Sequence, residues 1–493
     1  MVLLFFRYYA QAGSKISKKI AIFAHNNNYH YTMKRLLICM LSLCVASSVV
    51  ARDNNRGGID ATMLDNIRHG YSASAAERAV KNALSTTSID RLAVNGDNLA
   101  MCDTHFSHRV KTVGITNQKS SGRCWLFTGL NVLRAKMIAR HDMASFEFSQ
   151  NYCSFFDLLE KSNLFLQAII DTRSQAIDSR EVEWLLKHPI GDGGQFTGVS
   201  NLVMKYGAVP KEAMPETFQS ENTRHMRTIL STKLREYALQ LRESQPAKAQ
   251  QLKTAMLTEI YGILVKCLGV PPTEFEWTHR NRKGEVVSTA TYTPKSFYEK
   301  YIGEALEDNY IMLMNDPTRE YGKVYEIEND RHVYDGDNWL YVNLPIERIK
   351  EIAIASIKEN TAMYFSCDVG KFLNRDKGTL DVDNFDYASL FDTSFPMSKE
   401  ERIRTFASGS SHAMTLIAVD IDSEGKPRKW LVENSWGIKS GYKGCLIMTD
   451  KWFDEYMFRL VAERKYVPED VLNMLSQKPI RLPAWDPMFA PEE

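Results

Sequence analysis

The sequence predicts an α+β protein of two lobes separated by a helical insertion. Three observations carry this. Apolar residues recur at helical spacing from Cys124 through Leu126, Phe127, Leu130, Leu133, Met137 and Ile138, and again from Phe146-Glu147-Phe148 through Phe156 and Leu159. Long helical patterns rich in Lys, Arg, Glu and Gln occupy roughly 219–269. Strand-like apolar runs then cluster late in the chain, at 362–370, 411–419 and 430–437.

The first fifty residues differ from the rest. Met33-Lys34-Arg35 precedes an apolar run, Leu36 to Val50, that ends in the small residues Val49 and Ala51. This is the layout of a secretory signal peptide, with cleavage expected after Ala51 and residues 1–32 read as an upstream extension from a mis-assigned start codon. A secreted or periplasmic location follows. The run is short for a membrane span, so no stable span is expected in the mature chain, although a membrane-anchored or amphipathic N-terminus is the competing reading. Of 493 residues, 44% are apolar and 25% charged, ordinary for a soluble protein with room for a sizeable core. Loss of residues 1–51 leaves 55 basic and 60 acidic residues, a net charge of −5. That balance disfavours a constitutive nucleic-acid binder.

Segment 52–218 begins polar and Ala/Ser-rich, with a helix expected over about 74–83, and continues into the cysteine-bearing helices. Within it, Gly191-Asp192-Gly193-Gly194-Gln195 reads either as a tight turn or as a cleft wall whose Gly193 and Gly194 admit an extended peptide. Segment 219–360 is the helical insertion, with a hairpin at 274–292 turning at Arg282-Lys283-Gly284. It holds no catalytic constellation and reads as a spacer or assembly surface. Segment 361–480 is the β lobe, and 481–493 forms a tail. The cysteines left after residue 51 (Cys102, Cys124, Cys153, Cys267, Cys367 and Cys445) make no CxxC or Cys/His metal spacing. Neither a metal nor an organic cofactor is expected.

Alone, Cys124 is as readable as a buried core thiol as it is a nucleophile. Its place at a helix start favours the thiolate through the helix dipole. Gln118, one short Gly-containing loop upstream, can offer an amide donor to an oxyanion. His412 heads one apolar strand, and Asn434 lies at the end of a second that can pair with it. A thiol nucleophile needs a base that also serves as acid, and an amide oxygen fixes the tautomer of that base. Trp436 can shield the hydrogen bond. With Cys124, His412, Asn434 and Gln118 each filling one role of an acyl-transfer site, the separate structural readings weaken together.

Asn117-Gln118-Lys119-Ser120-Ser121-Gly122-Arg123-Cys124-Trp125, Ser411-His412-Ala413 and Glu433-Asn434-Ser435-Trp436-Gly437 resemble the papain-like cysteine peptidases. Ser121 stands where secreted papains carry a cysteine. That departure, with His188-Pro189-Ile190, Asp192-Gly193-Gly194-Gln195, Tyr206-Gly207-Ala208-Val209-Pro210-Lys211, Cys367-Asp368-Val369-Gly370-Lys371 and Leu482-Pro483-Ala484-Trp485-Asp486-Pro487-Met488, resembles the bleomycin hydrolase and aminopeptidase C branch from about residue 74 onward. The resemblance implies a papain-like two-lobe core with a helical insertion and hook, assembly as a hexamer, peptide substrates, and aminopeptidase activity. It also implies a C-terminal tail lying in the cleft, whose carboxylate at Glu493 can pair with the substrate ammonium. Members of that branch are mostly cytosolic, which the expected signal peptide contradicts, and Pro491 would stiffen the tail. An endopeptidase with a displaced tail and a non-catalytic oligomeric binding protein are the alternatives.

Overall fold

The structure is a computed structural model that describes residues 57–98, 103–486 and 488. The expected signal segment, Cys102 and the tail beyond Met488, including Glu493, lie outside the described residues. The chain divides into two compact units, one ending at Thr86 and one beginning at Thr87. In the first, the described residues form α1 (Ala61–Gly70) and α2 (Ala75–Leu84). Ser74 caps α2: its hydroxyl accepts from the Glu77 amide and the Glu77 carboxylate accepts from the Ser74 amide, the reciprocal pair that satisfies two orphan donors at a helix start.

The second unit carries α3 (Cys124–Arg140), α4 (Gln150–Asp171), α5 (Phe196–Tyr206), α6 (Arg224–Glu243), α7 (Ala249–Leu268) and α8 (Ile346–Lys358), with shorter helices between them. Its β1 (Phe275–Arg280) and β2 (Val286–Tyr292) pair with each other as a hairpin. Asn281 closes their turn by accepting the amides of Lys283 and Glu285 on one side-chain oxygen. The sheet of the second unit contains β3 (Tyr310–Met314), β4 (Lys323–Ile327), β5 (Leu340–Asn343), β6 (Met363–Cys367), β7 (His412–Ile421), β8 (Pro427–Glu433), β9 (Cys445–Thr449), β10 (Met457–Glu463) and β11 (Ile480–Leu482). Its order is β11-β4-β5-β3-β10-β6-β7-β8-β9, and β10 through β9 are mutually antiparallel.

Period-two alternation assigns each face of the central strands to a different core. Tyr364, Ala413 and Val461 join the cluster built around α3 and α4, whereas Phe365, Met414 and Leu460 join the one built around α8 through Ile349, Ile352 and Ile357. The apolar spacing in α3 suggests a single inward face, but every residue from Arg123 to Arg134 is buried. A helix enclosed on all sides tolerates no surface stripe, so α3 runs through the middle of the lobe. The insertion is also more than a spacer. Leu230, Leu234, Ile260 and Leu264 of α6 and α7 share one apolar cluster with Phe155, Leu158 and Leu166 of α4. Among the described residues, no helix is long and apolar enough to cross a membrane.

Candidate active site

Cys124 is the first residue of α3 and is 9% exposed. The loop before it is pinned to the β lobe backbone to backbone. The Gln118 amide donates to the Ser435 carbonyl at 2.8 Å, and the Gly437 amide donates to the Thr116 carbonyl at 3.1 Å. Gly437 sits at φ 83 with Asn117 against it, where an added Cβ would come 2.8 Å from the Asn117 amide nitrogen. Behind the loop, the Arg134 guanidinium of α3 pairs with Glu433 at 2.8 Å and donates to the Gly114 carbonyl at 3.2 Å. Cysteine helix and histidine strand pair are thereby held by contacts between segments some 300 residues apart in sequence.

The register of β7 and β8 determines what faces His412. Thr415 lies opposite Glu433 and Leu416 opposite Val432. Continuing that pairing past the end of β8 brings His412 level with Trp436, and Asn434, two residues from Trp436, on the same face. The side chains agree with this. His412 Nε2 lies 2.8 Å from Asn434 Oδ1, and the Trp436 ring lies 4.8 Å from the imidazole at an interplanar angle of 31°. The Asn434 atom facing the ring is the oxygen, because the Ser435 amide also donates to it at 2.8 Å. His412 Nε2 therefore carries the hydrogen, which leaves Nδ1 as the basic nitrogen.

Gln118 is held with equal definition. Its Nε2 donates to the Ser121 carbonyl at 2.7 Å, so that end is the NH2 group, and its Oε1 accepts from the Ser435 hydroxyl at 2.5 Å. One Nε2 hydrogen is left for a further acceptor. Ser121 donates its hydroxyl to the Gln118 carbonyl at 2.7 Å and accepts from Arg123 Nε at 3.1 Å. A serine thus closes the loop by hydrogen bonds. Arg123 is in turn anchored on both carboxylate oxygens of Glu216, at 3.3 and 2.9 Å.

Gly193 and Gly194 lie in the loop packed against this helix start. Neither has a positive φ. Gly194 answers instead to crowding: a Cβ there would fall 2.6 Å from the Trp125 ring and closer still to His332. Nothing lies within 4 Å of the corresponding point on Gly193. The Trp125 indole donates to the Asp192 carbonyl at 2.6 Å, and Asp192 Oδ2 accepts the Gly122 amide at 3.0 Å as well as the Thr223 hydroxyl. Asp192 so joins the glycine loop, the cysteine loop and the start of α6. The sequence offered no cue for this role, nor for Ser435 as the anchor of Gln118, because both depend on partners brought close only by folding. Among the described residues no three His, Cys, Asp or Glu side chains are grouped as metal ligands.

Burial drives the His412 imidazole down to about 4; the bond to Asn434 opposes this in part, and the Arg375 charge adds to the lowering. A histidine that is neutral when folded and ordinary when unfolded binds fewer protons in the native state. Its contribution to stability is complete above pH 6.5 and is lost as the pH falls through about 4. In a Cys124→Ala background, which removes the thiol from the balance, unfolding free energy should drop by about 2 kcal/mol between pH 7 and pH 4.5 relative to Cys124→Ala/His412→Gln. Urea titrations of the two proteins at both pH values measure it. Equal losses would show that His412 is not buried in its neutral form.

A thiol at a helix start, a histidine whose tautomer is set and a clamped amide donor are the kinds of group that thiol-dependent acyl transfer requires, and the fold that carries them is papain-like. The chain belongs to the Peptidase C1-like family, whose profile matches residues 58–489. It is 41% identical over 400 residues to bleomycin hydrolase of Homo sapiens, covering 78% of this chain and 88% of that one. With aminopeptidase C of Streptococcus thermophilus it shares 38% identity over 425 residues, 85% and 95% of the respective chains. The crystal structure of PepW from Lactobacillus rhamnosis HN001 superposes with a TM-score of 0.85 at 37% identity, covering 88% of this chain and 99% of PepW.

Proposed function

We propose that the protein is a cysteine aminopeptidase that uses Cys124, His412, Asn434 and Gln118. His412 Nδ1 takes the thiol proton and the sulfur attacks the first peptide carbonyl, forming a C–S bond. The oxyanion is held by the spare Gln118 Nε2 hydrogen and the Cys124 amide. The C–N bond then breaks as His412 returns the proton to the departing amine. Water, deprotonated by the same imidazole, attacks the thioester and releases the amino acid and the thiol. Asn434 keeps the ring in the tautomer this cycle needs, and Trp436 covers the bond that does so. The observation that carries the reading is the His412–Asn434 hydrogen bond beside a Gln118 fixed to Ser435 of the same segment. The names of the relatives, bleomycin hydrolase and aminopeptidase C, support removal of single N-terminal residues.

The start of the tail supports the same specificity. The Met488 carbonyl accepts from Arg459 at 3.0 Å, and Arg459 also donates to Gln195, next to Gly194, at 2.8 Å. Asp486 is ion-paired with Arg319. A tail leaving this point along the Gly193-Gly194 wall would fill the side of the cleft upstream of the cut and present Glu493 to a free ammonium. Deleting residues 489–493 should reduce kcat/KM for unblocked peptides about tenfold, as for one lost charge-assisted contact, and open the site to N-acetylated peptides. Unchanged rejection of blocked peptides would overturn tail gating. Their cleavage by the intact chain would favour the endopeptidase reading.

Export and a hexameric assembly complete the proposal. The Met33–Ala51 pattern supports the first, and N-terminal sequencing of the protein from its native host should begin at Arg52. The family resemblance supports the second, as do Val286 and Val287, each 56% exposed near the tip of the β1/β2 hairpin. A monomeric mass by light scattering would count against it.

A further inference from the structure

Arg375 follows the short strand Leu373–Asn374 in the β lobe and is exposed. Its guanidinium carbon stands 5.2 Å from the centre of the Trp436 ring, and that ring lies 4.8 Å from the imidazole of His412. The cation is therefore no more than about 10 Å from the catalytic base, the reach of three extended residues. Stacking on the indole holds an otherwise mobile side chain in place. Among the described residues no carboxylate is ion-paired with it, so the guanidinium keeps its hydrogen-bonding fork available.

The chemistry fixes which part of a substrate meets it. The acyl portion stays on Cys124, while the leaving amine must sit beside His412, which protonates it. His412 and Arg375 both lie against the Trp436 ring, so the Trp436–Arg375 pair borders the base that meets the leaving amine. We propose that Arg375 is a specificity-determining residue that pairs with a carboxylate on the departing fragment, and so favours short peptides with a free C-terminus. The inference rests on the aminopeptidase reading. A free α-carboxylate one or two residues past the cut lies within the span just given, and a planar guanidinium can donate two parallel hydrogen bonds to its oxygens. In longer substrates the terminal carboxylate is carried beyond reach, and an acidic side chain at the same place could substitute for it.

The test compares alanyl-alanine and trialanine with their C-terminal amides, read as the ratio of kcat/KM for acid over amide. Arg375→Gln should lower that ratio about three- to fivefold, the size expected of an exposed ion pair. Arg375→Lys should retain part of it, and raising the salt concentration should shrink the ratio of the parent enzyme in the same direction. An unchanged ratio in Arg375→Gln overturns the inference. So does an equal fall for acids and amides, which would mean that Arg375 acts only by supporting Trp436. Failure of the parent enzyme to cleave either form overturns the aminopeptidase reading itself, and this inference with it.

Discussion

Cys124→Ala is expected to hydrolyse neither amino-acid amides nor peptides, with turnover reduced by at least about four orders of magnitude. The acyl-enzyme of the proposed cycle forms on the Cys124 sulfur, which alanine lacks. The fold should survive. Cys124 is already 9% exposed, and exchanging its sulfur for hydrogen at a helix terminus creates little cavity, so the cost should stay near 1 kcal/mol. Circular dichroism and the thermal midpoint check the second half, and an amide-hydrolysis assay on the purified variant checks the first. A folded variant that retains activity would sink the assignment of Cys124 as nucleophile. An unfolded one would mean that the thiol contributes far more to packing than its exposure indicates.

Arg134→Ala should be the most damaging substitution that touches no reacting atom. Arg134 is 4% and Glu433 1% exposed, and their 2.8 Å pair joins α3 to the strand that leads into Asn434. Removing one partner strands the other in a site of low polarity, which typically costs about 3–5 kcal/mol. Burial already pushes the Glu433 carboxyl up, with Arg134 holding it down, so the orphaned carboxyl should take up a proton and make the loss smaller at acidic pH. The double variant Arg134→Ala/Glu433→Ala should recover part of the loss, which separates the stranded charge from the missing contact. Activity per folded molecule should also fall, because Arg134 grips the Gly114 carbonyl at the root of the loop that carries Gln118. Urea unfolding and active-site titration report the two effects. A destabilisation equal in both variants would contradict the account.

The helical run behind Cys124 and the apolar strands at His412 and Trp430 were legible in the sequence because hydrophobic patterning is a local property. Cys124, His412, Asn434 and Gln118 were likewise legible as candidates, since a thiol, an imidazole and two amides are a recognisable chemical set even when scattered. Two local readings missed their physical cause. α3 reads as a helix with one buried face, yet Arg123 through Arg134 are all enclosed, because α4 and the sheet wrap it and pattern alone does not count neighbours. The glycines at 193 and 194 suggest an unusual backbone, but neither has positive φ. Gly194 is required by the Trp125 and His332 rings pressed against it.

The sequence by itself determined the chemistry available to this protein and the elements that carry it: Cys124 at the head of a helix, His412 at the head of a strand, Asn434 at the end of the next. Only the tertiary structure decided how those groups are aimed. The oxygen of Asn434 faces His412 because the Ser435 amide claims the same atom. Gln118 is oriented by Ser435, which lies 317 residues away in sequence, and Arg375 reaches Trp436 across a separate loop. Residue identity and period are inscribed locally, whereas orientation depends on strand register and close packing between distant segments, and a one-residue slip in that register would leave every motif intact and the site unmade.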